Sequence, residues 1–290
     1  MLLPELEYVR PRSVEEAVER LAGHRNARVL AGGQTLLNAL KLRIVHPDVL
    51  VDVSRLEELR AVARDDDGTL RIGAAVTYDE LAADPRVRAA HAVTAAMTSR
   101  IVDRQVRARG TIGGNVCLAD PTGNFPPLLV ALGARLALRG PDGERVIPAE
   151  GFYLAPYMTA IEPGELLTHV LLPPLAPGEG VGYESLQVGI DSWALARACA
   201  LVRVEVEDGG RRTIASARVA LGCGPVPVRQ PAMEAALIGA APDPDAIAAA
   251  AALAGEQFDP PGDVHASAEY RTEMARVMAR RAVLAAVKEG

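Results

Sequence analysis

Cysteine is scarce in this chain of 290 residues: the three thiols, Cys117, Cys199 and Cys223, lie far apart and form no CxxC pair. An iron–sulfur cluster takes about four thiolates, so the chain carries none alone. Isolated thiols suit reduced, buried positions. Lysine occurs only at Lys41 and Lys288, and arginine supplies the rest of the positive charge. The net charge of −6 removes any general electrostatic case for nucleic acid. No run of about 18 apolar residues is present, so no membrane span is expected. The first dozen residues mix Glu5, Glu7, Arg10 and Arg12 with apolar ones, unlike a secretory signal. The expected location is the cytoplasm. His24, His46, His91, His169 and His265 are scattered, with no metal-binding spacing and no Ser/His/Asp set. Neither GxGxxG nor the lysine of a phosphate-binding P-loop occurs, which excludes the common dinucleotide and nucleoside-triphosphate readings.

What is present is a chain 49% hydrophobic, long enough for one large domain or two smaller ones. Ser13-Val14-Glu15-Glu16 and Thr77-Tyr78-Asp79-Glu80 have the pattern of capping boxes, each opening a helix. Strands are expected at 28–31, 49–53 and 69–72, and helices at 35–42, 87–99 and 126–132. Residues 134–138 and 145–147 flank a Pro141-Asp142-Gly143 turn and read as a hairpin. So do 193–206 and 212–221 around Asp208-Gly209-Gly210. Proline and glycine concentrate at 172–178, where a domain boundary is expected. Beyond 233 the chain is alanine-rich and ends in a long helix, 268–288. Mixed strands and helices followed by a small sheet and helices give an α+β fold.

The chemistry concentrates in two glycine loops, Ala31-Gly32-Gly33-Gln34-Thr35-Leu36 and Thr111-Ile112-Gly113-Gly114-Asn115. Paired glycines let the backbone adopt positive φ and approach a ligand without an intervening Cβ. Free backbone N–H groups in such loops bind phosphate oxygens, and two loops could hold a pyrophosphate from both sides. Taken singly, each is usually no more than a tight turn.

Together the loops resemble the AGG-x-[ST]-L and TIGGN motifs of the FAD-binding middle subunit of the xanthine dehydrogenase and carbon monoxide dehydrogenase family. The resemblance covers the whole chain, including Ala119-Asp120-Pro121, Gly164-Glu165-Leu166-Leu167 and Glu269-Tyr270-Arg271. It implies a two-lobed FAD domain at 1–176, with lobes 1–58 and 59–176, of the type shared with vanillyl-alcohol-oxidase-like enzymes. A C-terminal domain of small antiparallel sheet and helices would follow at 177–290. FAD is then expected extended between the lobes. Its pyrophosphate would be wrapped by Val29, Leu30, Ala31, Gly32, Gly33, Gln34, Thr35 and Leu36, with Thr111, Ile112, Gly113, Gly114 and Asn115 on the other side. The resemblance adds Ile101, Asp120, Asn124, Leu167 and Gln187. Asn124 replaces a common acidic residue and Gln187 a usual lysine or arginine, so two charges near the flavin are missing.

The implied role is electron transfer. A molybdopterin large subunit oxidises substrate, an iron–sulfur small subunit relays electrons, and FAD delivers them to NAD⁺, a quinone, dioxygen or another acceptor. The assembly would be a heterotrimer that dimerises, and its substrate is set by the molybdenum subunit. Asp191-Ser192-Trp193 stands where the family keeps an acidic–aromatic pair near the isoalloxazine, although a tryptophan plugging the C-terminal sheet is the ordinary reading. The arginine run 100–109 reads as a docking face, as a field steadying reduced flavin, or as a solvated surface. Two alternatives stay open: a free-standing FAD-dependent oxidoreductase of the same fold, and a repurposed FAD-binding protein.

Overall fold

A computed structural model describes residues 3–101, 103–189, 192–207 and 209–290. Asp191 and Asp208, named in the sequence motifs above, lie outside the described residues.

The first layer is a parallel three-stranded sheet. It contains β1 (Glu7–Val9), β2 (Ala27–Leu30) and β3 (Val49–Asp52) in the order β1-β3-β2, so β2 is an edge strand. Helix α1 (Val14–Gly23) buries Val14, Ala17, Val18 and Leu21, the i, i+3, i+4, i+7 face, against β3. Its cap is half of the expected box. Ser13 Oγ accepts the Glu16 N–H at 3.2 Å, but the Glu16 carboxylate takes the N–H of Arg12 at 2.8 Å. Helix α2 (Leu36–Lys41) follows the first glycine loop.

The second layer is an antiparallel sheet with the order β4-β5-β10-β6-β7. Its strands are β4 (Val62–Arg64), β5 (Leu70–Gly73), β6 (Arg135–Gly140), β7 (Gly143–Pro148) and β10 (Leu166–Leu172); the short hairpin β8 (Tyr153–Ala155) and β9 (Met158–Thr159) stands apart. Its helices are α3 (Tyr78–Ala83), α4 (Pro85–Ala90), α5 (Ala92–Ser99), α6 (Arg104–Arg107), α7 (Ile112–Leu118) and α8 (Phe125–Ala131). The full capping box at Thr77 and Glu80 is present. The single helix expected at 87–99 is two, broken at His91, whose Nε2 lies 2.9 Å from the Pro173 carbonyl. That distant contact, invisible to local propensity, sets the break.

The C-terminal layer is antiparallel, in the order β11-β12-β13-β14: β11 (Glu179–Gln187), β12 (Ala194–Val206), β13 (Arg212–Gly222) and β14 (Val228–Arg229). Helices α9 (Pro231–Leu237), α10 (Pro244–Ala251) and α11 (Ala268–Glu289) pack on it. Gly180 and Gly182 occupy one face of β11, and a Cβ on either would collide with the carbonyl of Ala286 or Ala282 in α11. This backbone-on-backbone approach needs glycine on the strand and alanine on the helix. Gly182→Val is therefore expected to cost about 3 kcal/mol or more by overpacking. Thermal unfolding should show a drop of roughly 6–12 °C; an unchanged midpoint would refute the packing.

Helix α8 is tied to the C-terminal sheet by Arg218, which donates to the carbonyls of Ala131 and Val130 at 3.0 Å each. Both are end-of-helix carbonyls, and the Val130 one also accepts the Gly133 N–H at 3.2 Å. No helix among the described residues is long and apolar enough to cross a membrane.

Candidate functional site: a cofactor cleft

The first glycine loop leaves edge strand β2 and enters α2. Among the described residues, the N–H groups of residues 31–36 donate to no other part of the chain; the earliest bond from this stretch is Leu37 N–H to the Gly33 carbonyl, 3.2 Å. Buried backbone donors normally find partners; these six, half-buried except at exposed Thr35, are open to a ligand or to water. Gly33 sits at φ +72°, the left-handed region. Gly32 is required for another reason: a Cβ there would fall on the Arg109 carbonyl and within 2.8 Å of the Gly110 Cα. The first loop thus rests directly on the approach to the second.

The second loop differs from the sequence expectation. Thr111 caps α7, and its Oγ1 accepts the Gly114 N–H at 3.0 Å. Ile112 N–H donates to Val76 and Gly113 N–H to Ala74, at 3.1 and 2.9 Å. Two of the expected free amides of this loop are thus taken by segment 74–78, which bridges to it at Thr77 and Thr111, and those of Gly114 and Asn115 are taken by Thr111 itself. What the loop presents is bare surface. A Cβ on exposed Gly114 would meet only Thr111 Oγ1, at 3.0 Å, whereas one on Gly113 would strike Ala74 at 2.6 Å. Gly113 serves the fold, and Gly114 leaves open surface.

A cleft of about 860 Å³ is walled by Met97, Arg100, Ile101 and 103–106 on one side, Thr122 and Asn124 on a second, and 183–185, Gln187, 192–194 and Arg197 on the third. Ile101, Asn124 and Gln187, for which the resemblance implies FAD contact, line it. Trp193 lines it too, with 70% of its surface exposed, which overturns the reading of this tryptophan as a plug in the sheet. Gln187 Nε2 donates to the Ser192 carbonyl at 2.9 Å and so braces the turn that presents Trp193. Asn124 accepts from Tyr183 Oη at its carbonyl and side chain, 3.3 and 3.4 Å. Leu167 is 2% exposed in β10, within the main core rather than on the cleft wall. Asp120 Oδ1 accepts from both Thr122 N–H and its hydroxyl, at 2.8 and 2.7 Å, folding the 120–124 turn beneath the cleft.

Sequence reading missed Arg197 and Tyr183, both of which line the cleft. A signal was available for Arg197: it interrupts the apolar run Ala194-Leu195-Ala196-Arg197-Ala198-Cys199-Ala200. Within the arginine run, Arg100 and Arg104 are exposed and line the cleft. Arg107 is engaged internally with Asp79 at 3.2 Å and the Ile101 carbonyl at 2.7 Å, so it is a brace rather than a docking group. Burial pushes the Cys117 thiol up to about 12, leaving it an unreactive thiol at neutral pH.

The pieces fit FAD: an amide cradle for a pyrophosphate, a bare glycine beside it, and a roomy cleft bordered by an exposed aromatic ring. Comparison with known proteins agrees. Residues 4–175 match the family model described as the FAD binding domain in molybdopterin dehydrogenase, and residues 183–286 match the CO dehydrogenase flavoprotein C-terminal domain. The carbon monoxide dehydrogenase medium chain of Hydrogenophaga pseudoflava is 38% identical over 288 residues, 99% of this chain and 98% of that one. The glyceraldehyde dehydrogenase medium chain of Sulfolobus acidocaldarius is 34% identical, over 97% and 98%. A solved carbon monoxide dehydrogenase structure from H. pseudoflava superposes with a TM-score of 0.92 at 39% identity, covering 99% of this chain and 98% of its own. With a family model spanning 4–175 and relatives aligned end to end, this chain belongs to the FAD-binding medium subunits of the molybdenum hydroxylase family.

Proposed function

We propose that the chain is the electron-transfer subunit of a molybdopterin-dependent dehydrogenase, receiving electrons from a partner's iron–sulfur clusters and passing them through FAD to an external acceptor. The observation that carries this reading is the run of six open amides at 31–36, set against the approach to the second loop at Arg109 and Gly110. Bound FAD supplies the redox chemistry, since it exchanges electrons singly or in pairs, which no side chain here does.

The protein's part is to bind, orient and exclude water. In this reading Val29 to Leu36 wrap the pyrophosphate, with amides 31–36 donating to its oxygens; hydrogen bonds to a charged acceptor are the stronger kind. Gly114 lets the phosphates approach, and Ile101, Asn124 and Gln187 bound the ring site. Trp193 covers the aromatic face of the ring, excluding water from it. Arg100 and Arg104 raise the local positive potential at the rim. The partners are an iron–sulfur small subunit and a molybdopterin large subunit in a heterotrimer that dimerises, with NAD⁺ or another oxidant as acceptor. That several relatives are named medium chains of dehydrogenases supports this. The working division remains an FAD domain at 1–176, with lobes 1–58 and 59–176, and a C-terminal domain at 177–290.

The chain purified from its own cells should show a flavin spectrum, release FAD on denaturation, and bring down two further chains carrying iron, sulfide and molybdenum. A colourless chain that takes up no added FAD would end the proposal. A yellow chain that purifies alone and oxidises a substrate unaided would replace it with a free-standing enzyme.

A further inference from the structure

Arg197 stands near the centre of the C-terminal sheet, in β12, 2% exposed, and is among the residues that line the cleft. Its Nη1 donates to the carbonyls of Thr122 and Gly123, the latter at 2.6 Å, and its charge lies 5.9 Å from the centre of the Tyr183 ring. Those bonds account for one nitrogen. Nε is buried and has no acceptor among the described residues. Among the described residues no carboxylate forms an ion pair with Arg197, although Glu184 and Asp103 also line the cleft. An arginine cannot shed its charge by deprotonation. A buried cation without an anionic neighbour is costly to keep, and it persists where something charged is to be met. The room for it is built in, because its neighbour across the sheet in β13 is Gly222.

We infer that Arg197 is the cation that sets the reduction potential of the FAD in this cleft, by favouring the reduced ring over the oxidised one. The inference rests on the cofactor reading above. Two-electron reduction with uptake of one proton leaves the ring one unit more negative than before. A fixed positive charge in a water-poor wall therefore stabilises the reduced form selectively. The two carbonyl bonds hold the guanidinium in place, so no reorganisation is needed when the charge arrives. Arg197 also fastens the 122–124 turn, which carries Asn124, so a purely structural role is the competing explanation.

The test separates the two. The full chain, loaded with FAD, is reduced in equilibrium with a reference dye, and FAD affinity is measured in parallel by fluorescence. Wild-type protein is expected to bind reduced FAD more tightly than oxidised, and so to hold the cofactor at a potential above that of free FAD. In Arg197→Met the preference for reduced FAD should fall about tenfold, a drop of about 30 mV for a two-electron couple. Arg197→Lys keeps the charge and loses the planar fork, so it should keep the preference within about threefold while binding both forms more weakly.

A wild-type potential at or below that of free FAD would overturn the inference, even if Arg197→Met failed to fold. So would equal preferences in the Met and Lys variants. A wild-type chain that binds no FAD would instead remove the cofactor reading on which the inference stands.

Discussion

Gly32→Ala is expected to give a colourless, less stable protein. The added methyl would lie on the carbonyl of Arg109, far inside the 3.4 Å of ordinary contact, and neither backbone can yield without moving a loop. The first glycine loop must lift away from the second, and its amides lose their aim. Losing two amide–phosphate bonds, at about 1.5–3 kcal/mol each for a charged acceptor, lowers FAD affinity by at least about 100-fold. Flavin content after gel filtration, with thermal unfolding alongside, measures both effects. Stoichiometric FAD in a normally stable Gly32→Ala protein would mean that the loops do not meet.

Gly114→Ala should behave in the opposite way toward the fold. Gly114 is exposed in the first turn of α7 and has only Thr111 Oγ1 near its would-be Cβ. Replacing a helical glycine by alanine gains roughly 1 kcal/mol of propensity, so the unfolding midpoint should hold or rise. FAD affinity should nevertheless fall, and Gly114→Val should abolish retention, because the side chain fills the space left for phosphate. A stable variant without cofactor isolates a steric clash with ligand from damage to the chain. Full flavin in the valine variant would mean that no ligand lies against this glycine. Gly33 cannot serve the same purpose. Its φ of +72° and the Leu37 side chain 2.9 Å from a would-be Cβ would break the loop whatever binds there.

The contrast marks how far sequence carried the reading. Both loops, the hairpin β6–β7, the long terminal helix and the family were legible, because glycine pairs, turn residues and periodicity are local signals. The division of labour inside the loops was not. Gly113 and Gly114 look equivalent as letters, and only the placement of Ala74 beside one of them tells them apart. The satisfied amides of α7 depend on carbonyls of Val76 and Ala74, over thirty residues earlier, which no local pattern reports. As a letter, Trp193 suited a core plug and a ring beside the flavin alike; in the structure it is exposed at the cleft. His91 broke a helix through a contact with Pro173, again at long range.

The unequal satisfaction of the two loops has a consequence for assembly. The N-terminus of α7 is complete before any ligand arrives, so the larger sheet and its helices can reach final form during synthesis. The N–H groups of 31–36 have no acceptor among the described residues, although carbonyls of this segment are bonded to 37–39, so part of its order is coupled to occupancy and ligand binding adds stability there. In a cell short of flavin, the vulnerable point is therefore one surface loop near the N-terminus. Local opening there, rather than collapse of the molecule, would present an empty subunit to proteases.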